Sequence, residues 1–141
     1  MKNNVMFSSK SNEWETPKYL FDALNKEFNF TIDVAATSTN AKCDRYYTKE
    51  DDALSKDWAG ETVFMNPPYG RGIGKWVKKA WLEIQKHNIT VVMLIPARTD
   101  TSYFHDYCLK GEVRFLRGRL RFSNSKDNAP FPSAIVVFRK I

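Results

Sequence analysis

TVFMNPPYGR, residues 62–71, joins an apolar run to two adjacent prolines and a tyrosine. Residues 62–66 predict a buried strand, which ends at the prolines because proline has no N–H to donate to a neighbouring strand. The continuous apolar run TVVMLIPA at 90–97 predicts a second strand, covered on both faces. FTIDVAA at 30–36 predicts a third strand that ends in small residues, and RYYT at 45–48 a short fourth one.

Helical periodicity separates these strands. Apolar residues at helical spacing predict a helix over about 17–28, with Thr16 as its N-cap. From Lys75 onward the apolar residues share one helical face and most lysines lie off it, which predicts an amphipathic helix. A short helix capped by Asp100 or Thr101 should follow the second strand.

The order of these elements predicts the fold class. Segments 113–122 and 133–138 are strand-like and flank a turn-like stretch, so we expect a terminal antiparallel pair. Together the elements predict an α/β fold whose sheet is mostly parallel, with antiparallel C-terminal edge strands. Ligands of such sheets bind beyond the carboxyl ends of the strands, where DVAA (33–36) and NPPY (66–69) lie.

Size and charge narrow the function classes. The length of 141 residues predicts a single catalytic domain at 13–141 without a separate target-recognition domain. The polar residues at 1–12, rich in serine and asparagine, predict a mobile N-terminal tail. No apolar run approaches the roughly 18 residues of a membrane span, and no secretory signal is evident, so we expect a cytoplasmic protein. A net charge of +6 favours a polyanionic partner, although a solvated basic surface would look the same. Two cysteines and two histidines make no familiar metal spacing, so no metal is expected.

The NPPY segment suits an amine that is a poor nucleophile, such as the exocyclic amine of adenine. The side-chain carbonyl of Asn66 and the backbone carbonyl of Pro67 can accept its two N–H groups and aim its lone pair. The rings of Pro67 and Pro68 fix the backbone and remove competing donors. Tyr69 offers a flat face for stacking a base. The alternative is a proline pair that only ends a strand, with Tyr69 as a rim aromatic.

NPPY is similar to the catalytic motif of amino-methyltransferases that use S-adenosylmethionine (AdoMet). The chain also resembles the phage-type Dam family of DNA N6-adenine methyltransferases in segments that keep the family's order: EWETP, DVAATSTNAKC, TKEDDAL followed by DW, FMNPPYGR, LIPARTDTSYFH, GRLRF and APFPSAIVVF. The resemblance implies a Rossmann-like AdoMet-dependent methyltransferase fold, reduced in size from the seven strands of fuller members. It also implies methyl transfer from AdoMet to the N6 of adenine in DNA by a phage or prophage modification enzyme.

The resemblance assigns seven residues to the donor: Trp14, Thr16, Pro17, Asp33, Ala35, Asp52 and Asn66. Thr16 matches the segment at the methionine end of AdoMet, and Asp33 the acid that accepts from its ammonium directly or through water. Asp52 matches the acid that accepts from the donor's adenine amine, with Asp51 and Glu50 as rivals. AATSTN at 35–40 stands where most AdoMet-binding folds have a glycine-rich loop.

The DNA contacts are predicted from basic and aromatic residues outside this set. The candidates are Tyr69, Arg71, Arg117, Arg119, Arg121 and Phe131. If 113–122 is a regular strand, the three odd-numbered arginines share one face and act together, unless a bulge at Gly118 rotates Arg117 away. Duplex DNA would have to flip its adenine out of the stack, whereas single strands would not.

Several alternatives stay open at this point. The acceptor can instead be an RNA base or a protein amide, because NPPY occurs in such methyltransferases too. An inactive DNA-binding relative is a third reading, since the glycine-rich loop is missing. With no evident target-recognition insert, sequence selectivity must come from the basic terminal segments or from a second subunit in a homodimer, or be weak.

Overall fold

The computed structural model describes residues 13–140, so the tail predicted at 1–12 lies outside the described residues. Residues 13–140 contain three helices and five strands, in the order α1 (Lys18–Phe28), β1 (Ile32–Asp33), β2 (Thr62–Met65), α2 (Ile73–Lys86), β3 (Thr90–Pro96), α3 (Ser102–Asp106), β4 (Glu112–Phe115) and β5 (Ser133–Arg139). Single turns of 3₁₀ helix precede β2 and β4. No helix within 13–140 has the length and apolarity needed to cross a membrane.

The five strands form one mixed sheet in the order β1-β2-β3-β5-β4. β1, β2 and β3 pair in parallel, whereas β5 runs antiparallel to both β3 and β4. The α/β class and the terminal antiparallel pair are therefore confirmed. The predicted antiparallel C-terminal strands occupy one end of the sheet, with β4 at its edge and β5 next to it, buried over Ser133–Phe138. The prediction of a mostly parallel sheet is wrong, because two strand pairings are parallel and two are antiparallel.

Helices cover both faces of the sheet. Phe21 of α1 packs edge-on against Phe64 of β2, with ring centroids 5.1 Å apart. Trp81 of α2 packs in the same way against Phe138 of β5, at 5.3 Å. Phe64 and Phe138 lie on opposite faces, because Phe64 is in register with Val137 through Val92 and successive strand residues alternate. The buried core therefore leaves the carboxyl edge of β1–β3 free to carry a site.

Three predicted strands are shorter or absent. Only Ile32 and Asp33 of the 30–36 segment form a strand, and the 45–48 segment contributes a single bridge from Tyr46 to Asp33. The expected strand over 113–122 ends at Phe115. Gly118, at φ +72°, turns the chain there, and the following residues bury their apolar side chains outside the sheet. A regular strand over 113–122 was the condition for a common face of the three arginines, and this condition is not met.

The first helix begins without the predicted cap. Pro17 precedes α1 and its carbonyl accepts the N–H groups of Leu20 and Phe21, each at 3.1 Å. Thr16 makes no capping hydrogen bond to this helix, since its hydroxyl faces Asn66 instead. Helix α3 likewise has no side-chain cap, and the Thr101 hydroxyl donates to the carbonyl of Arg98 at 2.7 Å.

Candidate active site

A cleft of about 770 Å³ opens at the carboxyl ends of β1 and β2. Its walls come from four segments that are distant in the sequence: residues 13–16, 33–42, 48–53 and 64–68, with Trp76 of α2 beside them. Parallel strands bring these segments together, since Asp33 and Phe64 are in register and both loops leave the same edge of the sheet. The volume suits a ligand the size of a nucleoside derivative.

Six of the seven predicted donor residues line this cleft: Trp14, Thr16, Asp33, Ala35, Asp52 and Asn66. Pro67 and Pro68 line it as well, so the first three residues of NPPY border the same space. Pro17 is buried and contributes to the start of α1 instead of the cleft. The structure therefore brings together a set of residues that sequence reasoning assigned from separate motifs.

Asn66 has a fixed side-chain orientation. Its Nδ2 donates to the backbone carbonyl of Trp14 and to the hydroxyl of Thr16, the latter at 2.9 Å. Its Oδ1 accepts from the Tyr69 hydroxyl at 2.8 Å. The backbone carbonyl of Trp14 can only accept, so this contact distinguishes the amide nitrogen from its oxygen. Because a carbonyl oxygen has two lone pairs, Oδ1 can accept one further hydrogen bond.

Asp33 is buried, with 3% of its surface exposed, at the end of β1. Its Oδ1 accepts from the N–H of Ala35 at 3.3 Å and its Oδ2 from the N–H of Lys42 at 3.1 Å. Burial raises the pKa of this carboxyl above its ordinary value, although both backbone hydrogen bonds oppose the shift. A carboxylate that loses water in this way favours a cationic ligand.

The AATSTN segment forms its own compact turn in place of a glycine-rich loop. The N–H of Thr37 donates to Asn40 Oδ1 at 2.7 Å, and the N–H of Asn40 donates to Thr37 Oγ1 at 3.2 Å. This reciprocal pair resembles a capping box and holds the turn without glycine. Asn40 and Lys42 line the cleft and were not predicted, although the local Thr-x-x-Asn pattern is a signal that could have identified the turn.

The three neighbouring acids at 50–52 separate in the structure. Asp51 accepts from the N–H and the hydroxyl of Thr48, at 2.8 and 3.0 Å, and does not line the cleft. Asp52 and Glu50 both line it. Asp52 has a left-handed backbone (φ 55°), and its carboxylate makes no hydrogen bond or ion pair to residues 13–140. Asp51 is thereby removed as a rival, and Glu50 remains one.

Tyr69 does not present the exposed stacking face that the sequence predicted, since only 3% of its surface is accessible. Its hydroxyl lies 3.0 Å from the carbonyl oxygen of Leu94 as well as beside Asn66. Its ring meets Phe131 and Phe122 edge-on, at 5.7 and 6.3 Å. Phe131 is half-buried and also contacts Trp14 at 5.2 Å, so it lies between the cleft and Tyr69. Burial raises the pKa of Tyr69 well above its usual value.

The predicted DNA-contacting arginines lie outside the cleft lining. Arg71, Arg117, Arg119 and Arg121 are exposed and form no ion pair with residues 13–140. Arg114 is different, because it bonds Glu27 through two nitrogens at 2.8 and 2.7 Å and also contacts Glu112. These pairs raise the pKa of Arg114 and tie β4 to α1, so this arginine is structural.

Known proteins match the chain over most of its length. The family described as DNA N-6-adenine-methyltransferase (Dam) matches residues 4–140. A DNA N-6-adenine-methyltransferase of Haemophilus phage HP1 (strain HP1c1) is 32% identical over 147 aligned residues, which cover 97% of this chain and 83% of that protein. One of Escherichia phage T1 is 34% identical over 93 residues, 64% of this chain and 38% of that protein.

The chain belongs to the DNA N-6-adenine-methyltransferase (Dam) family. It is therefore an adenine-specific DNA methyltransferase, and the family implies AdoMet as its methyl donor and DNA as its substrate. The chemistry of the cleft fits this donor. Asp33 offers a carboxylate for an ammonium group, and Asp52 offers an acceptor for an adenine amine, while Trp14 and Trp76 supply apolar walls.

Sequence reasoning missed residues that act through tertiary contacts. Asn124 and Ser123 hold the segment that binds Asn66, and nothing in their sequence context indicates a partner more than a hundred residues away. Arg98 is exposed after β3 and forms no ion pair with the described residues. The sequence could have identified Arg98 as a site candidate, because it follows a buried strand that ends at the same sheet edge as NPPY.

One cluster of potential metal ligands lies apart from the cleft: Asp57, Glu83 and His87. Glu83 is buried, and its carboxylate accepts from the N–H of Trp58 at 2.6 Å and from Lys79 at 3.0 Å. These bonds join α2 to the segment before β2. They give the clustering of the three side chains a structural explanation. The expectation of no metal stays a prediction.

Proposed function

We propose that this Dam-family chain transfers a methyl group from AdoMet to the N6 of adenine in DNA at the junction of the cleft and the NPPY loop. Asn66 carries the proposal. Its side chain lines the donor cleft while its hydrogen bonds fix which end of the amide is the acceptor. The Rossmann-like arrangement of a reduced methyltransferase domain, without a separate recognition domain, is part of the same proposal.

Each donor residue is assigned to the chemical group of AdoMet that it suits. Asp33 accepts from the ammonium group, directly or through water, and Thr16 and Trp14 border the methionine end. Asp52 accepts from the adenine amine at the other end of the cleft, where Glu50 is the alternative. The Ala35 segment allows close backbone approach. When bound, AdoMet supplies a methyl group on a positively charged sulfur.

The acceptor residues hold the amine of adenine in line with that methyl group. Oδ1 of Asn66 and the carbonyl of Pro67 accept its two N–H groups, and the ring of Pro68 keeps the loop rigid. With AdoMet bound, the nitrogen lone pair would form the new N–C bond as the methyl–sulfur bond breaks, and one N–H proton would then leave to water. Tyr69 cannot take that proton, because a buried phenol with a raised pKa remains protonated and donates to Asn66.

Access of the base requires movement of an aromatic residue. Phe131 contacts both Trp14 and Tyr69, so an adenine that stacks on Tyr69 must take the place of Phe131. An aromatic partner is worth about 1–3 kcal/mol per stacked base, which is comparable with the contacts it replaces. Displaced in this way, Phe131 forms a second wall beside the flipped or single-stranded adenine.

Exposed cations around this edge hold the DNA backbone. Arg71, Arg117, Arg119 and Arg121 serve this role, and Arg98 joins them because its segment leaves the same end of the sheet. Phosphate contacts position the protein without reading bases. The activity takes place in the cytoplasm of a bacterial host, and a homodimer stays a prediction that sedimentation of the protein with and without DNA checks.

The test is transfer of a radiolabelled methyl group from AdoMet to duplex DNA, single-stranded DNA, RNA and protein extract. The proposal predicts label in DNA and little in the other two classes. Equal labelling of RNA would favour the alternative acceptor. Calorimetric AdoMet binding with no transfer to any acceptor would favour an inactive DNA-binding relative.

A further inference from the structure

Residues 123 and 124 fasten the N-terminal wall of the cleft to the body of the protein. The N–H of Glu15 donates to Asn124 Oδ1 at 3.0 Å, and Asn124 Nδ2 donates to the carbonyl of Glu13 at 2.9 Å. The N–H of Ser123 donates to the carbonyl of Glu15 at 2.9 Å, and its hydroxyl to the carbonyl of Thr16 at 3.3 Å. Segment 13–16 therefore has four hydrogen bonds to two consecutive residues.

The segment held in this way is the one that orients Asn66. The carbonyl of Trp14 and the hydroxyl of Thr16 are the two acceptors that bind Asn66 Nδ2. If segment 13–16 moves, the amide loses the contacts that distinguish its nitrogen from its oxygen. The contact with Tyr69 on the other side cannot fix the orientation by itself, because a hydroxyl can donate to the amide oxygen or accept from the amide nitrogen.

The same two residues lie just beyond the basic stretch 117–121 in the chain. Phe122, which joins them to that stretch, is buried and packs against Trp14 at 5.4 Å and Phe131 at 6.1 Å. One ring and two hydrogen-bonding residues therefore connect the basic stretch to Trp14 and its neighbours. Segment 13–16, which borders the cleft, and the basic stretch 117–121 are therefore linked through residues 122–124.

We infer that Ser123 and Asn124 are positioning residues that couple donor binding to DNA binding. Donor occupancy orders segment 13–16, which through Ser123 and Asn124 orders the basic stretch for DNA, and DNA has the reciprocal effect on the donor. The inference rests on the proposed function, since it assumes a donor in the cleft and DNA on the basic stretch.

The experiment is a binding cycle on the whole chain. Affinity for a short duplex is measured by fluorescence anisotropy with and without S-adenosylhomocysteine, the demethylated donor, and the affinity for that compound is measured with and without the duplex. In the wild-type protein each ligand should tighten the other by the same factor, about fivefold or more. In Asn124→Ala the factor should fall toward one, and in Ser123→Ala it should fall less.

Asn128→Ala is the matched control, because this exposed asparagine lies in the same loop and its side chain bonds nothing among residues 13–140. It should keep the wild-type factor. If Asn124→Ala fails to fold, Asn124→Asp replaces it, since aspartate still accepts from Glu15 but cannot donate to Glu13. The reduced coupling should then persist in a folded protein.

Three outcomes distinguish the coupling through Ser123 and Asn124 from the proposed function. A wild-type protein that binds both ligands without mutual tightening would overturn this inference and leave the proposed function standing. Asn124→Ala that binds each ligand more weakly yet keeps the full factor would also overturn it, because that is the effect of a merely structural residue. A wild-type protein that binds no S-adenosylhomocysteine would contradict the proposed function itself.

Discussion

The cleft and segment 117–131, our proposed sites for donor and DNA, are built in different ways. The cleft is fixed by backbone geometry: parallel strands place Asp33 beside Asn66, and short-range hydrogen bonds close its turns. Segment 117–131 has no regular strand, and its arginines are exposed while its aromatic rings cover Tyr69. We therefore expect the β1 and β2 walls of the cleft to be formed in the free protein and the acceptor site to be completed when DNA displaces Phe131.

Asn66→Ala should have the largest effect, because Asn66 belongs to both sides of this comparison. We expect kcat to fall by about 10²-fold or more, as for removal of a group that acts mainly in the transition state. AdoMet affinity, measured by calorimetry, should change only a few fold, since we assign the donor's ammonium and adenine to Asp33 and Asp52. Retained turnover would contradict the assignment of NPPY.

Asp33→Asn tests the proposed donor site in the cleft. Loss of a charged hydrogen bond to the donor's ammonium should weaken AdoMet binding by about 10- to 100-fold, equivalent to roughly 1–3 kcal/mol. Because burial raises the pKa of Asp33, its carboxyl protonates at a higher pH than an ordinary aspartate, whose pKa is about 3.9. Wild-type affinity should be full above the raised pKa and fall as the pH drops through it.

The Asp33→Asn protein cannot titrate at this position, so its affinity should stay flat over the same acidic range. Calorimetric titrations of the wild-type protein and the variant at several pH values check this. Parallel pH profiles in the two proteins would show that another group, such as Glu50 or Asp52, meets the ammonium.

The triple variant Arg117→Ala, Arg119→Ala, Arg121→Ala tests the DNA-facing side. Each phosphate contact that is lost should flatten the log–log salt dependence of duplex binding by about 0.9. Affinity should fall on all sequences alike, with AdoMet binding unchanged. Arg114→Ala is the control, because its guanidinium is held by Glu27 and Glu112. An unaltered slope in the triple variant would move the DNA path to Arg71, Lys75 and Lys78.

Tyr69→Phe should have the smallest effect. It keeps the ring in the aromatic cluster and removes the hydroxyl that contacts Asn66 and Leu94. One hydrogen bond is worth about 1 kcal/mol, so kcat should fall about fivefold while the affinities for DNA and donor stay the same. A loss as large as that of Asn66→Ala in steady-state assays would instead make Tyr69 part of the chemistry.

The sequence predicted the cleft better than segment 117–131, and the reason is physical. Strand periodicity and the acid at the end of β1 are local patterns, and parallel pairing then brings Asp33 and Asn66 together. The role of Thr16 was mistaken in part, because its contact with Asn66 spans 50 residues. The bend at Gly118 and the burial of Tyr69 depend on tertiary packing, which alternation in RFLRGRLRF could not reveal.

We propose that the cleft and NPPY form one site for adenine methylation, and the mass spectrum of DNA nucleosides tests this most directly. Plasmid DNA is isolated from cells lacking their own adenine methyltransferases that express the wild-type chain or Asn66→Ala, and is digested to nucleosides. We predict N6-methyldeoxyadenosine from wild-type cells and a background level from the variant. The absence of this nucleoside in both, or equal amounts in both, would contradict the account.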